Sequence, residues 1–177
     1  MTLVPGGSVP YFAYGANVHP GWLRRRIPAA VVVGAGELPG YRIAFNKRGR
    51  DGAGRSNACP TGSPADRLPG VLYRVPAQDL DKLGAARAGY HAVEVLVETA
   101  EGPLTALTWC ADATQVEAGL RPWDWYVALI RAGAELHGLP EAHRRWLDTV
   151  PTQADPDVDR AAPARAVLGD PPSVNRP

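Results

Sequence analysis

A β-hairpin near the middle of the chain most limits the folds open to this sequence. The runs "YHAVEVLVE" (90–98) and "LTALTWCA" (104–111) are rich in β-branched and aromatic residues, as strands are. They flank "TAEGP", whose Gly and Pro favour a turn. The sequence therefore predicts two paired antiparallel strands over this region.

Strand-like runs dominate the part of the chain before the hairpin. They are residues 9–14, "AAVVVGAGEL", "YRIAFNKR" and residues 70–75, with the turn dipeptide Pro39-Gly40 between the second and third. Residues 47–69 are rich in Gly, Ser and Pro and predict a long loop, with a short extended piece around 57–59.

Helical segments are more frequent late in the chain. They are "GWLRRRI", residues 76–83, "WDWYVALIRAGAELHG" and "PEAHRRWLDTV", with Pro122 opening the third and Gly138 placed to cap it. This order predicts one α+β domain over residues 1–150. Residues 151–177 are rich in Pro, Ala and Asp and have few large apolar side chains, so we expect a mobile or draped tail.

Composition narrows the class of partner. The 177 residues carry a formal net charge of +1, so no overall field attracts nucleic acid or an anionic membrane. No apolar run approaches the roughly 20 residues of a membrane-spanning helix, and the N-terminus lacks the pattern of a signal peptide. We expect a cytoplasmic protein whose two cysteines are reduced.

The stretch "YFAYGAN" joins an aromatic strand to a glycine turn. Such a turn leaves backbone N–H groups free to converge on an anion, and Gly15 permits close approach. Asn17 adds an amide that donates and accepts hydrogen bonds. From the spacing alone, a tight turn that merely closes two strands is the favoured interpretation.

Other reactive residue types favour structural roles. The four histidines include no i, i+4 pair on one helix, and Cys59 and Cys110 are too far apart for a CxxC site, so no metal site is expected. Cys59 is typical of a small buried hydrophobe, and "RRR" at 24–26 is typical of a solvated helix face.

Four motifs in order resemble the γ-glutamylcyclotransferase family across about residues 10–148. They are "YFAYGAN", "LPGYRIAFN", "RSNACPTGSPADRLPGVLYRV" and "RPWDWYVALIRAGAELHGLP". The resemblance implies an α+β fold with a compact mixed β-barrel, flanked by helices, and a small cavity at the YGAN turn. Each motif alone is weak, but the four in sequence are fairly specific.

The resemblance also implies a reaction on a small-molecule substrate. The free α-amine of a γ-glutamyl group attacks its own γ-carbonyl, releasing 5-oxoproline and an amine or amino acid. Holding the bent conformer supplies much of the rate effect, and backbone N–H groups of the turn can hold a carboxylate or the oxyanion. No metal or organic cofactor is needed. The implied substrate-binding residues are Tyr14, Gly15, Ala16, Asn17 and Tyr90, and Tyr126 is an implied catalytic residue.

The carboxylate that family members use as a base is missing. Family members place a Glu at the end of the helix after the GVLY strand. Counting forward from "GVLYRV" puts that position on Arg87, and counting back from Tyr90 puts it on Gly84; neither is acidic. Glu94 follows Tyr90 by four positions, so both share one strand face. Glu94 is a candidate base, although a structural role for it is favoured.

Three functions fit this pattern. The favoured hypothesis is a divergent lyase-type enzyme that acts on a small γ-glutamyl-like or otherwise cyclising amide, as in specialised metabolism. The second is a non-catalytic module that binds a small metabolite. The third is a conventional cyclotransferase whose acid has moved elsewhere in the sequence.

Overall fold

The computed structural model describes residues 7–85 and 88–169, which form one α+β domain. Its strands are β1 (Ser8–Ala13), β2 (Val31–Pro39), β3 (Tyr41–Arg48), β4 (Gly54–Pro60), β5 (Arg67–Pro76), β6 (Tyr90–Val97) and β7 (Leu104–Ala111). Its helices are α1 (Pro20–Arg24), α2 (Leu80–Ala85), α3 (Asp124–Leu136), α4 (Glu141–Thr149) and α5 (Val158–Gly169). No described helix is long and apolar enough to cross a membrane.

Strand β1 lies at the centre of a five-stranded sheet of order β2-β5-β1-β7-β6. It runs antiparallel to β5, from Ser8 opposite Pro76 to Ala13 opposite Val71, and parallel to β7. The predicted hairpin is present, with Tyr90 opposite Ala111. Because β1 is central, the turn that follows Ala13 emerges from the middle of the sheet, where side chains from many elements can reach it.

The α+β class is confirmed, but the sheet is not closed into the expected barrel. Strands β3 and β4 leave the main sheet and pair with each other. The two edges of the main sheet approach each other at one described bridge, where Glu37 and Glu98 exchange backbone hydrogen bonds of 2.9 Å. One bridge joins the edges at a point without continuing the ladder along their length.

The segment predicted as a long loop contains a full strand. Strand β4 pairs with β3 from Tyr41 opposite Pro60 to Arg48 opposite Gly54. The Oδ1 atom of Asn57 also accepts the Ala111 N–H at 2.9 Å, which ties β4 to the end of β7. The strand has few β-branched residues, so long-range pairing rather than local propensity stabilises it.

Helix α3 packs tightly against the turn that follows β1. A Cβ atom on Gly133 would lie 2.7 Å from His19 N and from Val18 C. Gly138 ends this helix as predicted: its φ is +60°, and the Leu139 N–H donates to Ala134 O at 2.9 Å, as in a Schellman motif. The absence of a side chain at Gly133 therefore fixes the distance between helix and turn.

The C-terminal segment differs from the expected mobile or draped tail. Residues 158–169 form α5, whose Ala161 and Ala164 are fully buried against α3. Arg160 makes a two-pronged ion pair with the buried carboxylate of Asp155, at 2.6 and 2.8 Å, and Trp125 Nε1 donates to the same carboxylate at 2.8 Å. Small side chains and polar anchors hold this segment, which is why its lack of large apolar residues was misleading. Residues 170–177 lie outside the described residues.

Replacing Gly133 should loosen the contact between α3 and the turn. Alanine usually favours a helix by about 1 kcal/mol over glycine, but the added methyl group meets backbone atoms of Val18 and His19. We expect Gly133→Ala to lower the free energy of unfolding by about 1–3 kcal/mol in urea denaturation. Gly169→Ala, in α5 with open space around it, is the control and should cause no loss. Equal stability of the two variants would contradict this packing argument.

Removing the charge of Asp155 should release the C-terminal segment. Asp155→Asn weakens its bonds to Arg160 and Trp125, and we expect a loss of about 2 kcal/mol of stability, with faster proteolysis after residue 150. Asp157→Asn is the matched control, since that half-exposed carboxylate lies 3.9 Å from the same guanidinium. Limited proteolysis with mass spectrometry measures the cleavage rate of both variants. Equal cleavage of the two would show that Asp155 does not anchor the segment.

Candidate functional site

A pocket of about 470 Å³ opens where β1 ends. Elements distant in sequence form its wall: the turn after β1, strands β3 and β4 with their connection, the start of β6, and helices α3 and α5. The lining side chains and backbone are those of Gly15, Ala16, Asn17, Trp22, Arg26, Lys47, Gly49, Arg50, Asp51, Arg55, Ser56, Ala88, Tyr90, Trp125, Tyr126 and Arg160. Five of the seven residues predicted from the sequence are brought together here: Gly15, Ala16, Asn17, Tyr90 and Tyr126.

The glycine turn has no room for a larger residue at its first position. A Cβ on Gly15 would overlap Ser56 Oγ and lie 3.2 Å from the Tyr126 hydroxyl. Ala16–Val18 then form a single 3₁₀ turn, and within the described chain the N–H groups of Ala16 and Asn17 have no hydrogen-bond acceptor. Because both residues line the pocket, their N–H groups are available to an anion there.

Ser56 links the two predicted site tyrosines. Its Oγ lies 2.8 Å from the Tyr126 hydroxyl, and its backbone oxygen accepts a hydrogen bond from the Tyr90 hydroxyl at 2.7 Å. Sequence reasoning missed Ser56 because the segment around it was interpreted as a loop. The motif "RSNACP" contained it, and strand alternation along β4 was the signal that could have located it.

Asn17 is held by the core rather than left free for a ligand. Its Nδ2 donates to Tyr11 Oη at 2.9 Å, and its Oδ1 accepts from Arg26 Nη2 at 2.7 Å. The amide thus fixes the turn and orients the Arg26 guanidinium. Because the side-chain amide of Asn17 is engaged, the binding role predicted for this residue falls to its backbone N–H group.

Two predicted residues are not brought to the pocket. Tyr14 is 3% exposed, in a hydrophobic cluster that includes Phe12 and Leu72, and its hydroxyl donates to Trp109 O. Glu94 is exposed on β6 opposite Leu107 and is not among the lining residues. Strand alternation does place Glu94 on the Tyr90 side, but it lies four residues further along β6, outside the pocket wall.

Cationic side chains dominate the lining. They are Arg26, Lys47, Arg50, Arg55 and Arg160, whereas Asp51 is the one carboxylate among the described lining residues. Its Oδ2 accepts from Arg55 at 2.6 Å and from Trp123 Nε1 at 2.9 Å. Burial raises the pKa of Asp51, but these hydrogen bonds and the Arg55 charge outweigh it and hold the pKa below its ordinary value. Asp51 is therefore a weak proton acceptor.

Both positions to which the resemblance aligns the family's Glu lie between β5 and β6. Gly84 lies in α2, and Arg87 lies outside the described residues. Ala88 lines the pocket, and Gly89, with φ of +82°, leads directly into Tyr90. Among the described residues, no three His, Cys, Asp or Glu side chains lie close enough to hold a metal ion.

Known proteins resemble this chain in sequence and in fold. The family model of the AIG2-like family matches residues 67–147. The γ-glutamylcyclotransferase of Bos taurus is 29% identical over 153 residues, covering 82% of this chain and 80% of the relative. The Homo sapiens enzyme of that name is 28% identical over 151 residues, covering 81% and 79%.

A solved structure named gamma-glutamyl cyclotransferase shares the fold. It superposes with a TM-score of 0.76 at 24% identity, covering 88% of this chain and 98% of the other. The sequence relatives and this shared fold together support a γ-glutamylcyclotransferase-like protein.

Proposed function

We propose that this chain catalyses a cyclotransferase-type reaction on a small γ-glutamyl-like amide, without the carboxylate base usual in its family. The observation that carries the proposal is the pocket at the glycine turn, which combines free backbone N–H groups and two linked tyrosines with a strongly cationic wall. A substrate α-amine attacks the γ-carbonyl, closing a five-membered lactam and releasing an amine.

The glycine turn suits the negative charge of this reaction. The N–H groups of Ala16 and Asn17 can bind the substrate carboxylate or the oxyanion of the tetrahedral intermediate. Their positions are set by contacts of Gly15 with Ser56 and of Gly133 with Val18, so the donors need little rearrangement when the substrate binds. A preorganised site of this kind also favours the bent substrate conformer that ring closure needs.

The cations favour a substrate that carries more than one negative group. Arg55 and Arg160 are paired with Asp51 and Asp155, but Arg50 makes no ion pair with a described carboxylate. A γ-glutamyl group supplies a single α-carboxylate. We therefore infer that the departing amine also carries an anionic group, such as a phosphate or a carboxylate.

The alternative is a module that binds the same kind of molecule without converting it. It is favoured by one observation: the pocket's described carboxylate, Asp51, is engaged by Arg55 and Trp123. The third hypothesis, a relocated acid, needs Asp51 or Glu94 as the base. The pKa of Asp51 and the exposed position of Glu94 argue against both.

We propose that the protein is cytoplasmic, which its free thiols at Cys59 and Cys110 fit.

Turnover should depend on the charge of the leaving amine. We expect little 5-oxoproline from γ-glutamyl-alanine, far below the roughly 10 per second usual for enzymes. γ-Glutamyl-2-aminoethyl phosphate should exceed its matched neutral control, γ-glutamyl-ethanolamine, by about tenfold or more in kcat/KM, and salt should reduce the difference. Chromatographic detection of 5-oxoproline provides the rates.

The same series separates the candidate functions. Rapid turnover of γ-glutamyl-alanine would favour a conventional cyclotransferase. Calorimetric binding of the phosphate compound with no 5-oxoproline formed would favour the binding module and overturn the proposal of an enzyme.

Gly15→Ala should disable the turn. The new methyl group overlaps Ser56 Oγ, so either the turn or the Ser56–Tyr126 contact must move. We expect affinity for γ-glutamyl-2-aminoethyl phosphate, measured by calorimetry, to fall by about tenfold or more. Gly34→Ala is the control, since nothing lies within 4 Å of its added Cβ. Unchanged affinity in Gly15→Ala would show that the turn does not bind the ligand.

A further inference from the structure

Lys47 is an unusual lysine because it is buried in the pocket wall. It lies on β3, is 5% exposed, and donates a hydrogen bond from Nζ to Arg48 O at 2.6 Å. Its Nζ also lies 5.2 Å from the centre of the Tyr90 ring. A buried ammonium normally has a carboxylate partner, yet Lys47 makes no ion pair with any described carboxylate.

The end of this side chain packs against the connection that precedes β6. A Cβ on Gly89 would lie 3.2 Å from Lys47 Cε. Gly89 directly precedes Tyr90, which lines the pocket. The end of the Lys47 side chain thus packs beside the start of β6, at the pocket wall.

The surrounding charges favour the neutral amine. Burial is the largest effect and lowers the pKa of Lys47, and the guanidinium groups of Arg55 and Arg50 lower it further. Asp112 and Asp51 oppose this shift without reversing it. Asp112 is hydrogen-bonded to His91 at 2.9 Å, and Asp51 to Arg55. Tyr90, on β6, contributes the face of its ring to the contact with Lys47.

We propose that the amine of Lys47 is the proton acceptor of the cyclisation, in place of the family's glutamate. This inference rests on the proposed function. A lysine can fill this role because its amine can lose a proton, whereas the guanidinium of arginine cannot. Among the described lining residues, the other cationic side chains are arginines, so Lys47 is the one of them able to cycle between two protonation states.

The proton transfers balance with one lysine. Neutral Lys47 takes a proton from the substrate α-ammonium, and the freed lone pair forms the bond to the γ-carbon while the carbonyl π pair moves to oxygen. The Lys47 ammonium then protonates the leaving nitrogen, the old C–N bond breaks toward that nitrogen, and the carbonyl re-forms. Lys47 carries a second proton from the ring nitrogen to the released amine and ends neutral.

The test uses an advantage of this sequence, which contains two lysines, Lys47 and Lys82. Lys82 is exposed and paired with Asp79 on the surface, so it serves as an internal control. In protein containing ¹³C-lysine, NMR follows the two Cε signals with pH, and Lys82→Arg assigns them. We expect the pKa of Lys47 to lie below the ordinary lysine value. Titration of Lys47 at the ordinary lysine value overturns the proposal.

Activity provides the second measurement, with γ-glutamyl-2-aminoethyl phosphate as the probe. Lys47→Arg keeps a long side chain with hydrogen-bond donors but cannot accept a proton, and we expect kcat to fall by about 10²–10⁴-fold with little change in KM. The rising limb of the wild-type pH–rate profile should coincide with the Lys47 titration, and Lys82→Arg should retain the wild-type profile.

The outcomes separate this inference from the function on which it rests. A wild-type chain that forms no 5-oxoproline overturns the proposed function. A wild-type chain that turns over, with Lys47→Arg within threefold of it, overturns the Lys47 assignment alone. Lys47→Met is a second variant, and thermal denaturation shows whether it is folded. If folded Lys47→Met retains activity, the assignment is overturned; if it is folded and inactive, the assignment is supported.

Discussion

Close approach at two glycines is the constraint on which the site depends. Gly15 lets the turn after β1 meet Ser56, and Gly133 lets α3 meet the backbone of the same turn from the other side. The turn is therefore fixed between a strand and a helix, in addition to the 3₁₀ hydrogen bonds within it. Since Ser56 also contacts both Tyr90 and Tyr126, this contact sets the positions of the pocket's main polar groups together.

The fold segments with strong local patterns could be predicted, and those held by distant contacts could not. The hairpin β6–β7 and the end of α3 at Gly138 follow from strand composition and glycine placement. Strand β4 has weak β propensity and exists because β3 and Asn57 bond to it. The failure of the sheet to close into a barrel could not be predicted either. Closure depends on the distance between two edge strands that are far apart in the sequence.

The resemblance to a known family predicted several uncharged residues of the pocket. The charged residues of its wall were not predicted. Gly15, Tyr90 and Tyr126 do line the pocket, but the cationic wall comes largely from the segment interpreted as a loop and from α5. Arg160 illustrates the reason. Its position depends on the buried carboxylate of Asp155, and an alanine-rich segment offers no hydrophobic pattern that would bring this guanidinium to the pocket.

The positive wall of the pocket has opposite effects on a carboxylate base and on an amine base. Nearby guanidinium groups stabilise a carboxylate's ionised form, so they lower its pKa and make it a poorer proton acceptor, as at Asp51. The same charges destabilise an ammonium, so they release a neutral amine closer to neutral pH, as at Lys47. A pocket that became more cationic to hold a multiply charged substrate would weaken a glutamate base and strengthen the case for a lysine. On this argument, substrate charge and the identity of the base change together.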